Sequence, residues 1–104
     1  MDFTLKTYKT LLQTLKNKGY TFITFHDYLN LNLNLNLNLN LILLRHDVDL
    51  LPQNSLATAK MEHELGIKGS YYFRMVPESY DTKIIRQIAE LGHEVGYHYE
   101  TMDT

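Results

Sequence analysis

The spacing of apolar residues in the first part of the chain predicts one helix and one short strand. The helical face carries Leu5, Tyr8, Leu11, Leu12 and Leu15. Lys18-Gly19 supplies a plausible end to this helix. The run YTFITF, residues 20–25, is short and rich in aromatic and β-branched residues, which favours a strand, and His26-Asp27 then begin a turn or a helix.

A two-residue repeat, LNLNLNLNLNLN, occupies residues 29–40. Its alternation is that of a strand, but asparagine is depleted in strands and the register of such a repeat is poorly specified. Expansion of a repeated DNA unit explains it better than selection of each residue, although an edge strand or a self-associating β-segment is the alternative. We interpret it as an inserted linker whose last residues merge into the next strand.

From residue 41 the pattern changes to strands that alternate with helices. The apolar run LILL, residues 41–44, is typical of a strand covered on both faces, as in a parallel sheet. Pro52 can begin a helix that Gly66 ends, and GSYYFRMV, residues 69–76, follows as a second core strand. The periodic positions of this helix are Leu56, Ala59, Glu62/His63 and Leu65.

A further helix and strand complete this pattern. Ser79 or Asp81 can cap the helix, and Gly92 can end it. Its inner face carries Ile84, Ile85, Ile88 and Leu91. HEVGYHY, residues 93–99, is the next predicted strand, and the whole succession predicts right-handed βαβ units with a parallel sheet in an α/β fold.

Composition limits the classes of function. With 104 residues, 44% of them apolar, the chain can form one domain with a modest core. The formal charge of -2 and the lack of a Lys/Arg cluster exclude nucleic acid and anionic membranes as expected partners. Without cysteine, only His, Asp and Glu could hold a metal. The N-terminus lacks a signal-peptide pattern and no stretch is apolar enough for a bilayer, so we expect a cytoplasmic protein.

Two aspartates follow the apolar run at a position where parallel α/β folds gather their ligands. Asp47 and Asp49 share one side of the predicted strand, while His46 and Val48 face the other. Two carboxylates on one side can share a metal, or one can act as a base and the other as a ligand. The alternative is structural: Asp49 caps the helix near Pro52, and Asp47 pairs with Arg45.

The last predicted strand supplies a histidine. In GHEVGYHYE, His98 and Glu100 share one strand face, and Gly96 leaves room for a close approach. His93 would point to the opposite face, and a lone histidine is more often a structural hydrogen-bonding residue than a ligand. Two acids and a histidine at the ends of neighbouring strands nevertheless form a better ligand set than any one of them.

The segments LRHDVD, LGIKGSYYFRMVPESYD and IAELGHEVGYHYE resemble the polysaccharide deacetylases of the NodB-homology type, carbohydrate esterase family 4, in the branch whose first motif reads R-H-D-V-D. The resemblance runs from about residue 41 to the end of the chain and is weaker in the first helix and strand. It implies a partial (β/α) barrel that is truncated after the second motif. The chain then divides into residues 1–28 (helix and strand), 29–40 (Leu-Asn insert) and 41–104 (deacetylase-like part).

The resemblance also implies the site and the reaction. It makes Asp47 the catalytic base, Asp49 and His98 ligands of a divalent metal, zinc first among them, and Arg45 an orienter of the base. The position of the family's second metal-binding histidine holds Met102, a poor zinc ligand, which Glu100 or Asp103 could replace. The implied reaction is hydrolysis of the amide in an N-acetylated carbohydrate. Two roles remain for Tyr71, Tyr72 and Tyr97. They could stack on the sugar ring, or they could pack in the core or at the rim of the strands.

The length of the chain adds an expectation about completeness. A barrel of this type needs roughly 200 residues or more, and the family's later motifs have no counterpart here. We therefore expect a hydrolase domain that is complete only in a longer or associated form. The alternatives are a non-catalytic remnant that self-associates through exposed sheet edges, and a small metal-binding module without hydrolase activity.

Overall fold

The computed structural model describes residues 4–30, 40–48, 52–76 and 81–98. Helices and strands alternate along the chain. In order they are α1 (Leu5–Asn17), β1 (Tyr20–Ile23), α2 (Phe25–Leu29), β2 (Asn40–Leu43), β3 (Arg45–Val48), α3 (Pro52–Glu64), β4 (Ser70–Arg74), α4 (Thr82–Glu90) and β5 (Glu94–His98).

The strands are parallel and form two small sheets. β1 pairs with β2, while β3, β4 and β5 form a second sheet in that order. β2 and β3 are separated only by Leu44, whose carbonyl accepts a hydrogen bond from the Ser70 N–H at 2.9 Å. The predicted α/β class with parallel strands is therefore confirmed. The described strands do not close a barrel, and the NodB type of fold remains a prediction.

α1 and α4 begin and end as the sequence predicts. The Thr4 side chain accepts a hydrogen bond from the Thr7 N–H at the start of α1. Asp81 caps α4 by accepting from the backbone of Lys83 and Ile84, whereas the alternative cap, Ser79, lies outside the described residues. Local sequence signals therefore place both helix starts.

The first strand is shorter than predicted. It ends at Ile23, and Phe25 begins α2 instead of continuing the strand. The reason is the cap formed by Thr24, whose side-chain oxygen accepts a hydrogen bond from the Asp27 N–H at 3.1 Å. The predicted helix start at His26-Asp27 therefore lies inside this short helix.

The Leu-Asn repeat is described only at its ends. Leu29 is the last residue of α2 and Asn40 is the first residue of β2. Residues 31–39 lie outside the described part of the chain. The expectation that the repeat merges into the next strand is met at Asn40.

The main core lies between one face of the three-stranded sheet and the helices α3 and α4. Its buried residues are Val48, Ala59, Tyr71, Phe73, Ile84 and Ile88. A second cluster of Leu12, Met61 and Ile67 packs α1 against α3. Within the described helices, none is long and apolar enough to cross a membrane.

Alternation along the strands separates two faces of the three-stranded sheet. The helix-covered face contains His46, Val48, Tyr71 and Phe73. We call the opposite side the open face; Arg45 and Asp47 lie exposed on it. Asp47 and His46 thus point to opposite sides of β3, as the sequence predicts.

Candidate functional site

Asp47 lies near the carboxyl end of β3 and forms an ion pair on the open face. Its Oδ1 accepts a hydrogen bond from Nε of Arg45 at 2.9 Å, and both side chains are nearly half exposed, 44% and 47% respectively. The hydrogen bond to Asp47 raises the pKa of the Arg45 guanidinium. This contact fits both sequence interpretations, because Arg45 could orient a catalytic carboxylate or simply pair with it.

Tyr72 forms an aromatic surface beside this ion pair. The guanidinium carbon of Arg45 lies 4.5 Å from the centroid of the Tyr72 ring, in a cation–π contact. Phe25 of α2 meets the same ring at 6.4 Å and 61°. Burial, with a contribution from the charge of Glu94, raises the pKa of the Tyr72 hydroxyl. Because Tyr72 lies opposite Asp47 in the strand register, its ring is on the open face, whereas Tyr71 is in the core on the helix-covered face.

Gly96 allows the Tyr72 ring to lie close to β5. The strand register places Asp47 opposite Tyr72 and Tyr72 opposite Gly96. A Cβ atom at Gly96 would lie 2.7 Å from Cε1 and 2.8 Å from Cδ1 of Tyr72. The space that Gly96 was predicted to leave is thus occupied by the ring of Tyr72.

The predicted metal ligands are only partly described. The backbone of His98 ends β5 opposite Arg74. Asp49, Glu100, Met102 and Asp103, together with the side chain of His98, lie outside the described residues. Within the described ranges, no group of three or more His, Cys, Asp or Glu side chains could hold a metal ion. The assignment of Asp49 and His98 as ligands therefore remains a prediction.

Glu94 attaches α2 to the three-stranded sheet. One carboxylate oxygen accepts the hydroxyl of the buried Ser70 at 2.6 Å, and the other accepts the His26 N–H at 3.0 Å. The Ser70 oxygen also accepts the Phe25 N–H at 3.4 Å. These bonds hold Phe25 near Tyr72 and so define one border of the open face.

A second polar cluster lies on the helix-covered side and is centred on Glu62 of α3, which is fully buried. Its Oε2 accepts hydrogen bonds from the Tyr8 hydroxyl and from Nε2 of His46, both at 2.7 Å. Its Oε1 accepts the Tyr71 hydroxyl at 2.6 Å. We call these residues the Glu62 cluster. Three donors from separate elements satisfy one buried carboxylate, which is the condition for burying a charge at acceptable cost.

Electrostatics of the Glu62 cluster favour an ionised carboxylate. Burial alone would raise the pKa of Glu62, but the hydrogen bond and charge of His46, with the hydrogen bonds of Tyr71 and Tyr8, outweigh burial and lower it. Burial and the nearby charge of Glu62 raise the pKa values of the Tyr8 and Tyr71 hydroxyls. Both tyrosines therefore remain protonated donors to Glu62.

The His46 ring is held between two aromatic side chains. It stacks on Tyr71 with centroids 4.4 Å apart and planes at 22°, and the edge of Tyr8 meets it at 6.0 Å and 87°. A carboxylate that accepts from one ring nitrogen orients a histidine and selects its tautomer. Glu62 and His46 thus form a carboxylate–imidazole pair.

His93 has a structural role in the same region. Its Nδ1 accepts the Gly69 N–H at 3.0 Å, and its Nε2 lies 2.8 Å from the carbonyl oxygen of Ala59. We therefore assign the proton to Nε2, which leaves the ring neutral. Oε1 of Glu62 lies 3.7 Å from Nδ1, beyond hydrogen-bonding distance. His93 thus has the structural hydrogen-bonding role that the sequence analysis expects of a lone histidine.

Sequence reasoning did not find the Glu62 cluster, although a signal was present. Glu62 occupies a periodic position of α3 that should be apolar, and His46 occupies the inner face of β3. Polar residues at two core positions indicate partners for each other. The apolar spacing placed Tyr8 on the inner face of α1, but such spacing does not predict that its hydroxyl donates a hydrogen bond to Glu62.

Comparisons of this chain with protein-family models, with curated proteins and with solved structures found no match.

Proposed function

We propose that this chain is part of a metal-dependent hydrolase of the polysaccharide deacetylase type, which cleaves the non-peptide amide bond of N-acetylated sugars. The observation that carries the proposal is the position of Asp47: exposed, near the carboxyl end of a parallel strand, on the open face and paired with Arg45. Ligand sites of parallel α/β folds lie at such strand ends. The R-H-D-V-D motif and the G-H-E-V-G-Y-H segment supply the chemical class.

The side chains proposed as ligands are of the types that bind divalent metals. Carboxylate and imidazole groups are zinc ligands, and Asp49 and His98 are the residues that would hold the ion. When bound, the metal supplies a Lewis acid that polarises the acyl carbonyl and acidifies a water molecule. The thioether of Met102 weakens the set relative to the family pattern, so affinity is the first property to measure.

The residues of this chain would divide the remaining work. Asp47 would accept the proton of the attacking water, and Arg45 would orient its carboxylate. Tyr72, beside both residues, offers a ring face to the sugar. Protonation of the leaving amine requires an acid from a longer form of the protein or from an associated chain.

Calorimetric titration with zinc tests the metal site. We expect one-to-one binding that is lost in Asp49→Ala and in His98→Ala and retained in His26→Ala, which removes an exposed histidine on α2. Binding that is indifferent to the first two substitutions would overturn the assignment of the ligands.

Release of acetate from N-acetylglucosamine oligomers tests the reaction, measured with the longer or associated form that supplies the acid. Asp47→Asn should abolish turnover without altering zinc affinity, since Asp47 is the base and not a ligand. Asp27→Asn, at another exposed aspartate, is the matched control. Turnover that persists in Asp47→Asn would contradict the role of the base, and zinc binding without turnover would favour a metal-binding module.

A second candidate function, self-association without catalysis, is favoured by the sheet edges. Among the described strands, β1 pairs only with β2 and β5 only with β4. Unpaired edges can add a strand from another chain. Sedimentation equilibrium tests this candidate: a monomer over the full concentration range would contradict it.

A further inference from the structure

The three-stranded sheet is wound in one direction, with α3 and α4 on the same side. Its strand order, β3, β4 and β5, follows the chain. Ala59 of α3 and Ile84 and Ile88 of α4 pack in one core against the same face of this sheet. An open, doubly wound sheet carries helices on both faces. Strands in chain order with the helices on one side are instead the arrangement of (β/α) barrels.

The described strands supply about half of such a barrel. β2 continues into β3 through Leu44, so the chain has four strand positions in sequence: β1, β2/β3, β4 and β5. The common (β/α) barrel has eight parallel strands and roughly 200 residues or more. Two copies of this chain of 104 residues would provide both.

Both outer strands have an edge to which another strand could pair. Within the described ranges, β1 pairs only with β2, and β5 pairs only with β4. Each outer strand also exposes a tyrosine: Tyr20 of β1 is 36% exposed and Tyr97 of β5 is 46% exposed. Tyrosine is enriched at protein interfaces. The outer strands therefore carry both the edge backbone groups and the aromatic surface that a partner would cover.

The charges on the open face do not oppose such a partner. Its described charged side chains are two cations, Arg45 and Arg74, and two anions, Asp47 and Glu94. Two copies could therefore turn their open faces toward each other without a net repulsion. The hydrogen bonds of α2 reach this face at Glu94 and Ser70, the first residues of β5 and β4, so they lie at the opposite end from the carboxyl ends of the strands.

The pairing register fits closure by a second copy. Thr21 of β1 lies opposite Leu41, which is four residues before Arg45, and Glu94 of β5 is level with Arg45 through Ser70. An eight-stranded barrel has a shear of about eight residues, so its two halves are offset by about four. Applied in the direction that brings the strands together, this offset sets Thr21 of one copy opposite Glu94 of the other.

We propose that two copies of this chain pair about a two-fold axis, with β5 of each copy beside β1 of the other, and close a parallel barrel of eight strands. The second copy covers the open face. It also brings the carboxyl ends of its own strands to the rim on which Asp47 lies, so each Asp47 has side chains of both copies around it. The inference rests on the self-association proposed above and adds its geometry, and it does not require hydrolase activity.

Sedimentation equilibrium of the 104-residue chain tests closure. We expect a monomer–dimer equilibrium that stops at the dimer, because a closed barrel leaves no free edge. A monomer at every concentration would overturn the inference together with the self-association candidate. Oligomers that grow beyond two copies would support self-association but overturn the closed dimer. Neither zinc binding nor acetate release enters this readout, so failure of the hydrolase proposal is distinguishable from failure of this one.

Charge substitutions at Thr21 test which strands pair. Thr21 is exposed in the single chain and would lie opposite Glu94 of the second copy. Thr21→Lys should therefore tighten the dimer and Thr21→Asp should weaken it, each by about two- to thirtyfold in the dissociation constant, because two cross-strand charge pairs form in each dimer.

Thr10 of α1 supplies the matched controls for these substitutions. It is also exposed, and it lies away from both outer strands, so Thr10→Lys and Thr10→Asp should leave the dissociation constant almost unchanged. Effects of the same sign in both Thr21 variants, or no effect in either, would overturn the pairing of β1 with β5. Effects of equal size at Thr10 would show that only net charge matters and would overturn it as well.

Discussion

Oε2 of Glu62 lies 2.7 Å from Nε2 of His46, and this contact joins α3 to β3 beneath α1. The same carboxylate accepts hydrogen bonds from Tyr8 of α1 and Tyr71 of β4. One buried charge thus connects four elements of the fold. Removing a donor or the charge would leave buried polar groups without partners, which costs more than the bonds contribute when all are made.

Glu62→Gln should destabilise the fold although it preserves the shape of the side chain. All three partners donate, so the amide NH₂ of glutamine would face a donor instead of an accepting oxygen. We expect the free energy of unfolding to fall by about 1–3 kcal/mol, measured by denaturant titration. Glu64→Gln changes an exposed glutamate on the same helix and should have almost no effect. Equal stability of the two variants would contradict the role of Glu62.

The Glu62 cluster should make stability depend on pH in the acidic range. The folded state has a lower Glu62 pKa than the value of 4.5 that represents the unfolded chain. Between these two pKa values the unfolded state binds more protons, so the contribution of Glu62 is fully present above pH 4.5 and is lost as the pH falls through the folded pKa. The measurement is the difference in unfolding free energy between wild type and Glu62→Gln at several pH values. A difference that grows on acidification would contradict the prediction.

Gly96→Ala should destabilise the sheet through Tyr72. The added methyl group would meet the Tyr72 ring at 2.7 Å, so the ring must move from its place beside Arg45. We expect a loss of about 1–3 kcal/mol in unfolding free energy, the usual range for overpacking. In a Tyr72→Ala background, the same glycine substitution should be nearly neutral, which a double-mutant cycle would reveal as coupling. Additive effects of the two substitutions would show that the ring contact is not the cause.

Glu94→Ala should loosen the attachment of α2 to the sheet. The substitution removes the acceptor for the His26 N–H and for the Ser70 hydroxyl. Because a hydrogen bond to a charged group contributes about 1.5–3 kcal/mol, hydrogen exchange of the His26 amide should accelerate roughly tenfold or more. Glu90→Ala, at an exposed position of α4, is the control. Unchanged exchange at His26 would show that Glu94 does not hold the helix.

Local patterns predicted most of the elements, and the exceptions have identifiable causes. Gly66 and Gly92 follow their helices with φ angles of 73° and 96°, a conformation that glycine adopts without steric cost. Phe25 was assigned to the wrong element because the capping oxygen of Thr24 outweighed a weak aromatic preference for strand. The metal ligands stay at the level of prediction, since Asp49 and the His98 side chain lie outside the described residues.

The sequence by itself determined which way the side chains of β3 point and where the helices end. Alternation of successive residues is a property of any strand, so Asp47 had to lie opposite His46 whatever packed around them. Only the tertiary structure decided that Tyr8, His46 and Tyr71 meet at Glu62, and that Tyr72 covers Gly96. Those contacts join residues on different elements of the fold. The distances between these residues depend on how the helices pack on the sheet and on the pairing register between strands. A local sequence pattern specifies neither.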